Sequence, residues 1–306
     1  MKKVIITGAG GFIGGALAKH LLNKGVTVIG VDISHDKMEC LTEYDNFSEI
    51  VATFDEYKCL HKLIRDRDID VFYHFAWQGV FGIAFQNYEM QLDNAKYSSI
   101  AVDEAIKLNV KKFVFAGTMN EYEMENYICC DYFEPRYTYI YSAVKQVSEA
   151  IGKTLAYNRS IEYCAGRIAM AFGERNYSDM LPNVVMKNLL QGKPCNLITG
   201  EGTYDMIYID DIVDAFKAIG EYGKNMKSYY VGHRRLRTFR DLITEIAYIL
   251  NPKCELNFGA YPDVPSGINY DAIDLDALYR DTGFECKADF KESILKTASW
   301  LQKQLC

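Results

Sequence analysis

Tyr141 and Lys145 are the two residues whose types and spacing point most directly to chemistry. They stand four positions apart in a stretch with helical spacing, so their side chains share one helix face. A free phenol has a pKa of about 10, and a cation within about 4–6 Å lowers it by about 1–3 units. Tyr141 can then exchange a proton with a hydroxyl or a carbonyl, while Lys145 tunes it or binds a ribose. The chain holds 23 tyrosines, so this spacing taken alone is also compatible with chance.

Thr118 is a third candidate for the same chemistry, because it closely follows the apolar run Phe113–Ala116. The carboxyl ends of parallel strands are where α/β sheets place their ligands. At such a position the Thr118 hydroxyl can donate a hydrogen bond to a carbonyl oxygen as a hydride moves. A threonine in an ordinary turn has the same local sequence, and that alternative stays open at this point.

A glycine-rich segment near the start of the chain predicts a phosphate-binding turn. An apolar run leads into Gly8, Gly11 and Gly14, and helical spacing begins at once. These glycines permit a tight turn, let a pyrophosphate approach the backbone and allow close packing of helix on strand. Phe12 and Ile13 belong to the same segment, where a helix N-terminus supplies unpaired N–H groups and partial positive charge. An ordinary glycine turn is the alternative.

Asp32 is the candidate for selecting the dinucleotide. It ends the second apolar strand, where a carboxylate can accept hydrogen bonds from adenosine ribose hydroxyls and repels a 2′-phosphate. No Arg or Lys follows before Lys37, so the sequence favours NAD over NADP. We count Ile33 with this group, and Asp55 as a weaker candidate for contact with the adenine. A solvated turn is the alternative for Asp32, and a turn or a helix cap for Asp55.

Strand-like apolar runs alternate with helical patterns through the first half of the chain, which is typical of βαβ units and a parallel sheet. The predicted strands are Val26–Val31, Val71–Phe75, Phe113–Ala116 and Ile161–Ile168. The predicted helices are Tyr57–Arg65, Tyr88–Leu108, Arg136–Tyr157, Met180–Leu190, Asp210–Ile219, Phe239–Leu250 and Phe290–Gln304. We therefore expect an α/β fold with a Rossmann-type doubly wound parallel sheet in residues 1–170. A smaller C-terminal α/β substrate lobe in residues 171–306 follows, with some chain exchange between the two.

Composition limits the classes of partner and of compartment. Of the 306 residues 49% are hydrophobic, and the net charge of −7 comes without a basic cluster. This argues against nucleic acid or an anionic membrane as the main partner. We expect neither a secretion signal nor a membrane span. The nine cysteines form no C-x-x-C pair and Cys129-Cys130 are adjacent, so we expect reduced thiols in a cytoplasm and no metal site.

Together these segments resemble the extended short-chain dehydrogenase/reductase family, of the NAD-dependent epimerase/dehydratase type. The matching segments are Thr7–Gly14, His74–Ala76, Asn94, Thr118, Tyr141, Lys145, Arg167–Gly173 and Tyr208–Ile212. The resemblance implies that Ala76 passes close to the cofactor ribose and that Asn94 touches the cofactor. It also implies that Thr118, Tyr141 and Lys145 are catalytic, with Tyr141 and Lys145 contacting the cofactor as well.

Departures from the family pattern concern the substrate. Met119 and Asn120 stand where the dehydratases of the family carry Asp and Glu, so a water-eliminating acid/base pair is missing. Met170 replaces an Asn, and Tyr204 lies near where an Arg usually grips phosphate. These changes put in question the residues that would bind a nucleoside diphosphate. Arg175 could supply that charge instead.

The segments around Trp77 and Thr118 look like those of 4-keto-sugar reductases and epimerases, which implies a sugar pocket. The implied pocket residues are Trp77, Thr118, Asn120, Tyr141 and Arg175. Glu121 and Tyr122 either line this pocket as well or form a helix start that packs on the sheet.

Two hypotheses of different class follow. The first is an NAD(P)-dependent epimerase or reductase that acts at C4 of a sugar carried as a nucleotide conjugate, with Tyr141 as acid/base. The second is a non-catalytic dinucleotide sensor or scaffold on the same fold, since fold does not imply function. Such proteins typically lose the tyrosine or the lysine, whereas this chain keeps both Tyr141 and Lys145.

The resemblance also implies a homodimer. Its interface would be a four-helix arrangement of Tyr88–Leu108 and Arg136–Tyr157 from both copies. The apolar residues expected to be buried there are Ile100, Ile106, Val144 and Ile151.

Overall fold

The computed structural model describes residues 1–129, 134–263 and 267–305, so Cys130 lies outside the described residues. The strands are β1 Lys3–Thr7, β2 Thr27–Asp32, β3 Phe47–Val51, β4 Val71–His74, β5 Lys112–Thr118, β6 Glu162–Ile168, β7 Met170–Phe172, β8 Cys195–Leu197, β9 Thr203–Tyr204, β10 Met206–Tyr208, β11 Lys227–Val231, β12 Arg237–Thr238 and β13 Leu256–Phe258. The helices are α1 Phe12–Asn23, α2 His35–Met38, α3 Leu60–Leu63, α4 Tyr88–Lys107, α5 Asn120–Cys129, α6 Tyr139–Asn158, α7 Leu181–Leu190, α8 Ile209–Tyr222, α9 Phe239–Leu250, α10 Ala277–Thr282 and α11 Phe290–Leu305. Short 3₁₀ helices cover Glu39–Leu41, Phe54–Cys59, Gly82–Gln86 and Tyr270–Ala272.

The main sheet is parallel and has the order β11-β6-β5-β4-β1-β2-β3. β1 lies between β4 and β2, with Thr7 beside His74 on one side and Val31 on the other. Because neighbouring strands run parallel, their carboxyl ends meet at one edge, where ligands bind in sheets of this kind. The Rossmann-type doubly wound α/β fold expected from the sequence is confirmed.

Two hydrophobic cores cover the two faces of this sheet. Side chains of β1 alternate between them, with Val4 and Ile6 in one core and Ile5 in the other. α1 and α8 pack together over the first face, and α4 and α6 over the second. A strand buried on both faces is a continuous apolar run, which explains why the inner strands were predictable from the sequence.

The second half of the chain returns one strand to the main sheet. β11 pairs with β6, where Tyr230 lies beside Arg167. The other strands of this half form two-stranded pairs, β10 with β7, β12 with β9 and β13 with β8. α7, α9 and α11 pack on one another to form the smaller C-terminal lobe. None of the described helices combines the length and the apolar composition that a bilayer span requires.

The structure differs from the predicted elements in two main places. The helix expected over Tyr57–Arg65 starts earlier, as a 3₁₀ helix from Phe54, because Thr53 and Glu56 cap each other's backbone there. β3 was not predicted, since it is an edge strand whose residues are all half-buried or exposed. The segment therefore lacks the apolar run from which the inner strands are predicted.

His74 joins three elements close to the ligand-binding edge. Its Nδ1 lies 2.7 Å from Thr7 Oγ1 on β1, and its Nε2 lies 3.0 Å from Ser98 Oγ on α4. The ring is buried, and burial together with the Lys145 charge lowers the pKa of His74 to about 3. His74 is therefore a neutral hydrogen-bonding bridge at physiological pH.

This bridge predicts an acid-sensitive stability. The folded-state pKa of His74 lies below the ordinary value, so the unfolded chain binds the extra proton between the two values. The free energy of unfolding should then fall as the pH drops below about 6.5, by up to about 1.4 kcal/mol per pH unit from this group. Replacement His74→Gln should make that slope shallower in urea unfolding measured between pH 6.5 and 4.

A matched control is His35→Gln on the surface, where Glu49 raises the pKa of the histidine. Removing the His35 imidazole should leave the pH dependence of the free energy of unfolding at least as steep as in the wild type. Equal slopes for the wild type and His74→Gln would contradict the buried-bridge interpretation.

Candidate active site

The loop between β1 and α1 is shaped by close backbone contacts. Gly8 has φ +72°, and a Cβ on it would lie 2.9 Å from the backbone N of Ala76. A Cβ on Gly14 would lie 2.2 Å from the carbonyl oxygen of Gly8, so α1 begins directly against the loop. Gly11 is the exposed N-cap of α1, and no side chain caps that helix. The N–H groups of the first turn, at partly exposed Phe12 and Ile13, remain available for an anion.

Asp32 lies beside this loop at the end of β2. Its Oδ2 accepts the N–H of Gly10 at 2.9 Å and its Oδ1 accepts the N–H of Ile33 at 2.8 Å. The carboxylate is therefore fixed rather than solvated in a free turn. The fold also brings Lys37 back to this point, with Nζ 4.0 Å from Asp32 Oδ1. The Ile33 side chain is half exposed next to the carboxylate.

Asp55 and Asn94 have protein partners of their own. Asp55 is exposed and accepts the Tyr97 hydroxyl at 2.8 Å, while the helix cap expected as its alternative role is made by Thr53 instead. Asn94 is buried, and its Oδ1 and Nδ2 bond the backbone N–H and carbonyl of Gln78 at 2.9 and 2.8 Å. Asn94 thus holds the loop after β4 in place. Contact of either residue with a cofactor stays a prediction.

The three residues predicted to be catalytic come together at the carboxyl end of β5. Lys145 and Tyr141 are buried on α6, and Lys145 Nζ donates a 2.7 Å hydrogen bond to the carbonyl of Ala116. The Thr118 hydroxyl lies near the Tyr141 phenol and lowers its pKa. Burial has a larger effect and raises the pKa of Tyr141, and it lowers the pKa of Lys145. The Lys145 ammonium lies 5.9 Å from the centroid of the Tyr141 ring.

Aromatic rings enclose this group. The Lys145 ammonium lies 3.7 Å from the ring centroid of Trp77, a cation–π contact. Trp77 also meets Tyr141 edge-on at 6.0 Å, and Phe85 lies 4.9 Å from the same phenol ring. Gln91 holds the indole by accepting its Nε1–H at 2.9 Å. Trp77, predicted as a pocket residue, therefore contacts both members of the Tyr141–Lys145 pair.

Glu121 is not in the pocket, although the sequence left that interpretation open. Its side chain is fully buried, and its Oε1 accepts the N–H of Thr118 at 2.7 Å. The N–H of Asn120 lies 3.4 Å from Thr118 Oγ1, so the side chains of Thr118 and Glu121 each accept a backbone N–H at the start of α5. The Thr-x-x-Glu spacing was the signal in the sequence for this role. Asn120, predicted for the pocket, is half-buried in the first turn of α5.

The role predicted for Arg175, to supply positive charge to the substrate, stays a prediction. Arg175 is exposed after β7, and its Nη1 lies 3.3 Å from Cys40 Sγ in the 3₁₀ helix after α2. Its contact is therefore with the segment that follows β2, because the loop after β7 runs past that end of the sheet. Tyr204, which lies near the position where an arginine was expected, packs edge-on against Phe239 at 5.4 Å.

A parallel sheet with a glycine turn after its first strand is typical of dinucleotide-dependent enzymes. Residues 4–232 match the model of the NAD dependent epimerase/dehydratase family. The chain belongs to this family, and the resemblance seen in the sequence is confirmed.

Relatives and solved structures match most of the chain. It is 25% identical to dTDP-4-dehydro-6-deoxyglucose reductase of Escherichia coli, over 83% of this chain and 84% of the relative. UDP-glucuronic acid 4-epimerase from Bacillus cereus in complex with NAD superposes with a TM-score of 0.80 at 20% identity, covering 99% of this chain and 100% of the other. UDP-N-acetylglucosamine 4-epimerase from Methanobrevibacter ruminantium M1 superposes with a TM-score of 0.81 at 23% identity, covering 99% of both chains. At these identities the structural likeness shows the shared fold.

Proposed function

We propose that the protein is an NAD-dependent enzyme that moves a hydride at C4 of a nucleotide-linked sugar. The reaction is either a 4-epimerisation or the reduction of a 4-keto sugar. The convergence of Thr118, Tyr141 and Lys145 at the end of β5 carries this proposal. The glycine loop lies at the same edge of the sheet, so a dinucleotide bound there points towards these side chains. Relatives named as a reductase and as 4-epimerases support both reactions.

The three side chains have distinct roles in this proposal. Tyr141 takes the proton of the C4 hydroxyl during oxidation and returns it during reduction. Thr118, close to the phenol, hydrogen-bonds the reacting oxygen. The Lys145 ammonium favours the phenolate of Tyr141 and holds a ribose. The enclosing Trp77 keeps water from the pair, which strengthens these electrostatic effects.

The residues of the glycine loop fit NAD, which supplies the hydride acceptor and donor when bound. The uncapped N-terminus of α1 suits a pyrophosphate. A side chain at Gly8 or Gly14 would clash with the backbone atoms that shape the loop. The fixed carboxylate of Asp32 suits ribose hydroxyls and repels a 2′-phosphate. NAD is therefore preferred over NADP.

A dehydratase reaction is disfavoured by the residues after Thr118. Met119 and Asn120 offer no carboxyl group for the elimination of water. The next residue with one, Glu121, is fully buried and directs its carboxylate to Arg167 and to the backbone of Thr118. Water elimination therefore lacks its acid/base pair here.

The absorbance spectrum of freshly purified protein separates the two reactions. Tightly retained nicotinamide supports an epimerase, because its cofactor is regenerated within each turnover. A site that exchanges its cofactor freely supports a reductase.

A homodimer through α4 and α6 is the proposed assembly. Both helices expose apolar side chains in the single chain, including Leu92, Val147 and Ile151. Of the residues expected at the interface, Ile151 is exposed, Ile100 and Ile106 are partly buried against the second core, and Val144 is buried within the chain. The exposed apolar residues of these helices are Tyr88, Leu92, Ile140, Val147, Ile151 and Tyr157.

Replacement Tyr141→Phe tests the catalytic assignment. It removes the hydroxyl that exchanges the proton, so turnover should fall by about 10²–10⁴-fold. NADH affinity should change little, because the glycine loop and Asp32 are untouched. Nicotinamide absorbance with a panel of 4-keto and 4-hydroxy sugar nucleotides measures turnover, and fluorescence titration measures binding.

The matched control is Tyr157→Phe, an exposed tyrosine on the same helix, which should keep full activity. Full activity of Tyr141→Phe would refute the mechanism. A wild type that binds NADH but turns over none of the panel would favour the sensor or scaffold hypothesis.

Replacement Asp32→Asn tests the choice of dinucleotide. The wild type should bind NADH at least about tenfold more tightly than NADPH, equivalent to about 1.4 kcal/mol. Without the carboxylate charge the 2′-phosphate is no longer repelled, and the freed Lys37 attracts it. In Asp32→Asn the preference for NADH over NADPH should become smaller, mainly because NADPH binds more tightly. Fluorescence titration measures both affinities. Asp55→Asn is the control and should keep the preference; equal affinities in the wild type would contradict the role of Asp32.

Replacement Val147→Glu tests the dimer. A charge on the exposed apolar face of α6 should shift the protein from dimer to monomer in sedimentation velocity at micromolar concentration. Val184→Glu, at a comparably exposed valine on α7, should leave the dimer intact. A wild type that sediments as a monomer would exclude this assembly.

A further inference from the structure

Three side chains of the types that bind metal ions meet in the second half of the chain. A carboxylate oxygen of Asp211, a ring nitrogen of His233 and the Sγ of Cys286 all lie within 4.8 Å of one another. Asp211 belongs to the first turn of α8, His233 closely follows β11, and Cys286 lies between α10 and α11. These segments are far apart in the sequence, so no local spacing of the C-x-x-C kind indicates the group.

Asp205, which is not one of these three residues, orients the His233 ring. Its Oδ1 lies 2.7 Å from His233 Nδ1, and its Oδ2 accepts the backbone N–H of His233 at 2.8 Å. Asp205 is itself buried and accepts the Tyr230 hydroxyl at 2.8 Å. Because Nδ1 is engaged in this way, Nε2 is the nitrogen left to bind a metal. A carboxylate on the second ring nitrogen is the usual support of a metal-binding histidine, since it fixes the tautomer and raises the basicity of the ligand.

The other two side chains are held in place and keep electron pairs for a cation. Asp211 is buried, and its Oδ1 accepts the backbone N–H groups of the two residues after Cys286, at 2.7 and 3.2 Å. Its Oδ2 has a longer contact of 3.3 Å with the second of these N–H groups and retains lone pairs. The Tyr279 hydroxyl donates to the carbonyl of Gly232 at 2.8 Å and lies 3.1 Å from Cys286 Sγ. A tyrosine hydroxyl at that distance can also donate to a thiolate.

The charges around the group favour a cation. Asp205 and Asp211 are two buried carboxylates close to one histidine. The neighbouring cation Arg234 is partly neutralised, because its guanidinium lies 3.8 Å from both Asp276 and Glu285. Buried carboxylates are stable when they are paired with positive charge or coordinate a metal. A divalent ion would supply that positive charge.

The ligand types favour zinc over the harder divalent ions. Thiolate and imidazole are typical ligands of Zn²⁺, which also accepts a carboxylate oxygen. With bond lengths of about 2.0–2.3 Å, ligand atoms on one tetrahedral zinc lie about 3.3–3.6 Å apart. Separations of up to 4.8 Å therefore need only small side-chain rotations to close around an ion. The His233 side chain is 36% exposed, so an ion can enter from solvent and a water can take the fourth position.

We propose that Asp211, His233 and Cys286 form a zinc site. The ion joins the main sheet and its helices, through α8 and β11, to the segment that leads into α11 of the smaller lobe. Cys286 binds as the thiolate, and its proton passes to solvent when the metal binds. The inference does not depend on the proposed hydride transfer, because none of the three ligands belongs to the Tyr141–Lys145 pair or to the glycine loop.

Cobalt binding to the full chain tests the site. Reduced protein without an affinity tag is treated with a chelator, dialysed and titrated with Co²⁺, which reports thiolate ligands by a charge-transfer absorption band. One Co²⁺ per chain should produce this band, and added Zn²⁺ should abolish it with a Kd below about 1 µM. A hundredfold excess of Zn²⁺ over its Kd should also raise the Tm by about 4–8 °C. No band, or no displacement by Zn²⁺, would overturn the inference.

Replacement Cys286→Ser identifies the thiolate. It should abolish the charge-transfer band and the zinc-dependent rise in Tm, because the sulfur ligand is lost. Cys254→Ser is the matched control, since Cys254 lies in the same half of the chain and its Sγ contacts the carbonyl of Lys193 instead. The control should keep both signals. The same band in Cys286→Ser as in the wild type would place the metal elsewhere and overturn the inference.

Replacement His233→Gln is the second variant, which keeps the test valid if Cys286→Ser does not fold. His233 is partly exposed, so its loss should leave the metal-free Tm nearly unchanged. The affinity for Zn²⁺ should fall by at least about tenfold, because one of three protein ligands is removed. Unchanged affinity would show that the three side chains only pack together. Turnover enters none of these measurements, so failure of the proposed function and failure of the zinc site are distinguishable.

Discussion

The buried guanidinium of Arg167 forms ion pairs that connect the elements holding the active site. It projects from β6 and reaches carboxylates on both α5 and α6, the helices that carry the contacts of Thr118 and the side chains of Tyr141 and Lys145. Removing one partner from a buried ion cluster typically costs about 3–5 kcal/mol, because the remaining charge is left uncompensated. α5 and α6 are thereby prevented from sliding independently on the sheet. Proton transfer depends on sub-ångström placement of the reacting side chains, so these ion pairs matter for chemistry as well as for stability.

The two halves of the site recognise ligands by different means. The glycine loop uses backbone N–H groups and close approach at Gly8 and Gly14, which many surrounding sequences can support. The substrate side depends on individual side chains, and there Tyr204 and Met170 depart from the family pattern. Because the glycine loop tolerates many sequences, residues 4–232 identify the family although identity to the reductase relative is only 25%. The same residues do not specify which sugar is bound.

The sequence predicted those parts of the molecule that local patterns determine. Inner strands are continuous apolar runs and long amphipathic helices have strong periodicity, and Phe239–Leu250 was predicted to the residue. The edge strand β3 has half-buried and exposed residues and gave no such signal. Among candidate site residues, Thr118, Tyr141 and Lys145 were found because their spacing and strand-end position are local. The surroundings of Arg175 depend on how distant segments meet, and no local pattern encodes that.

The same distinction applies to Glu121. Its spacing from Thr118 signals a cap, but its full burial follows from the packing of β6 and α6, which are distant in sequence. Val144 was likewise expected at a dimer interface because its apolar character is local, whereas its burial within the single chain depends on distant segments.

The return of β11 to the edge of the main sheet links the order of synthesis to the order of folding. β6, which carries Arg167, is flanked on its outer side by residues 227–231. During translation the strand that bears this guanidinium therefore emerges well before its neighbour. Until then its backbone N–H and carbonyl groups form an open edge, the kind of surface on which nascent chains aggregate. The cofactor half is thus complete only after much of the second half has left the ribosome, and the two lobes cannot mature as independent modules.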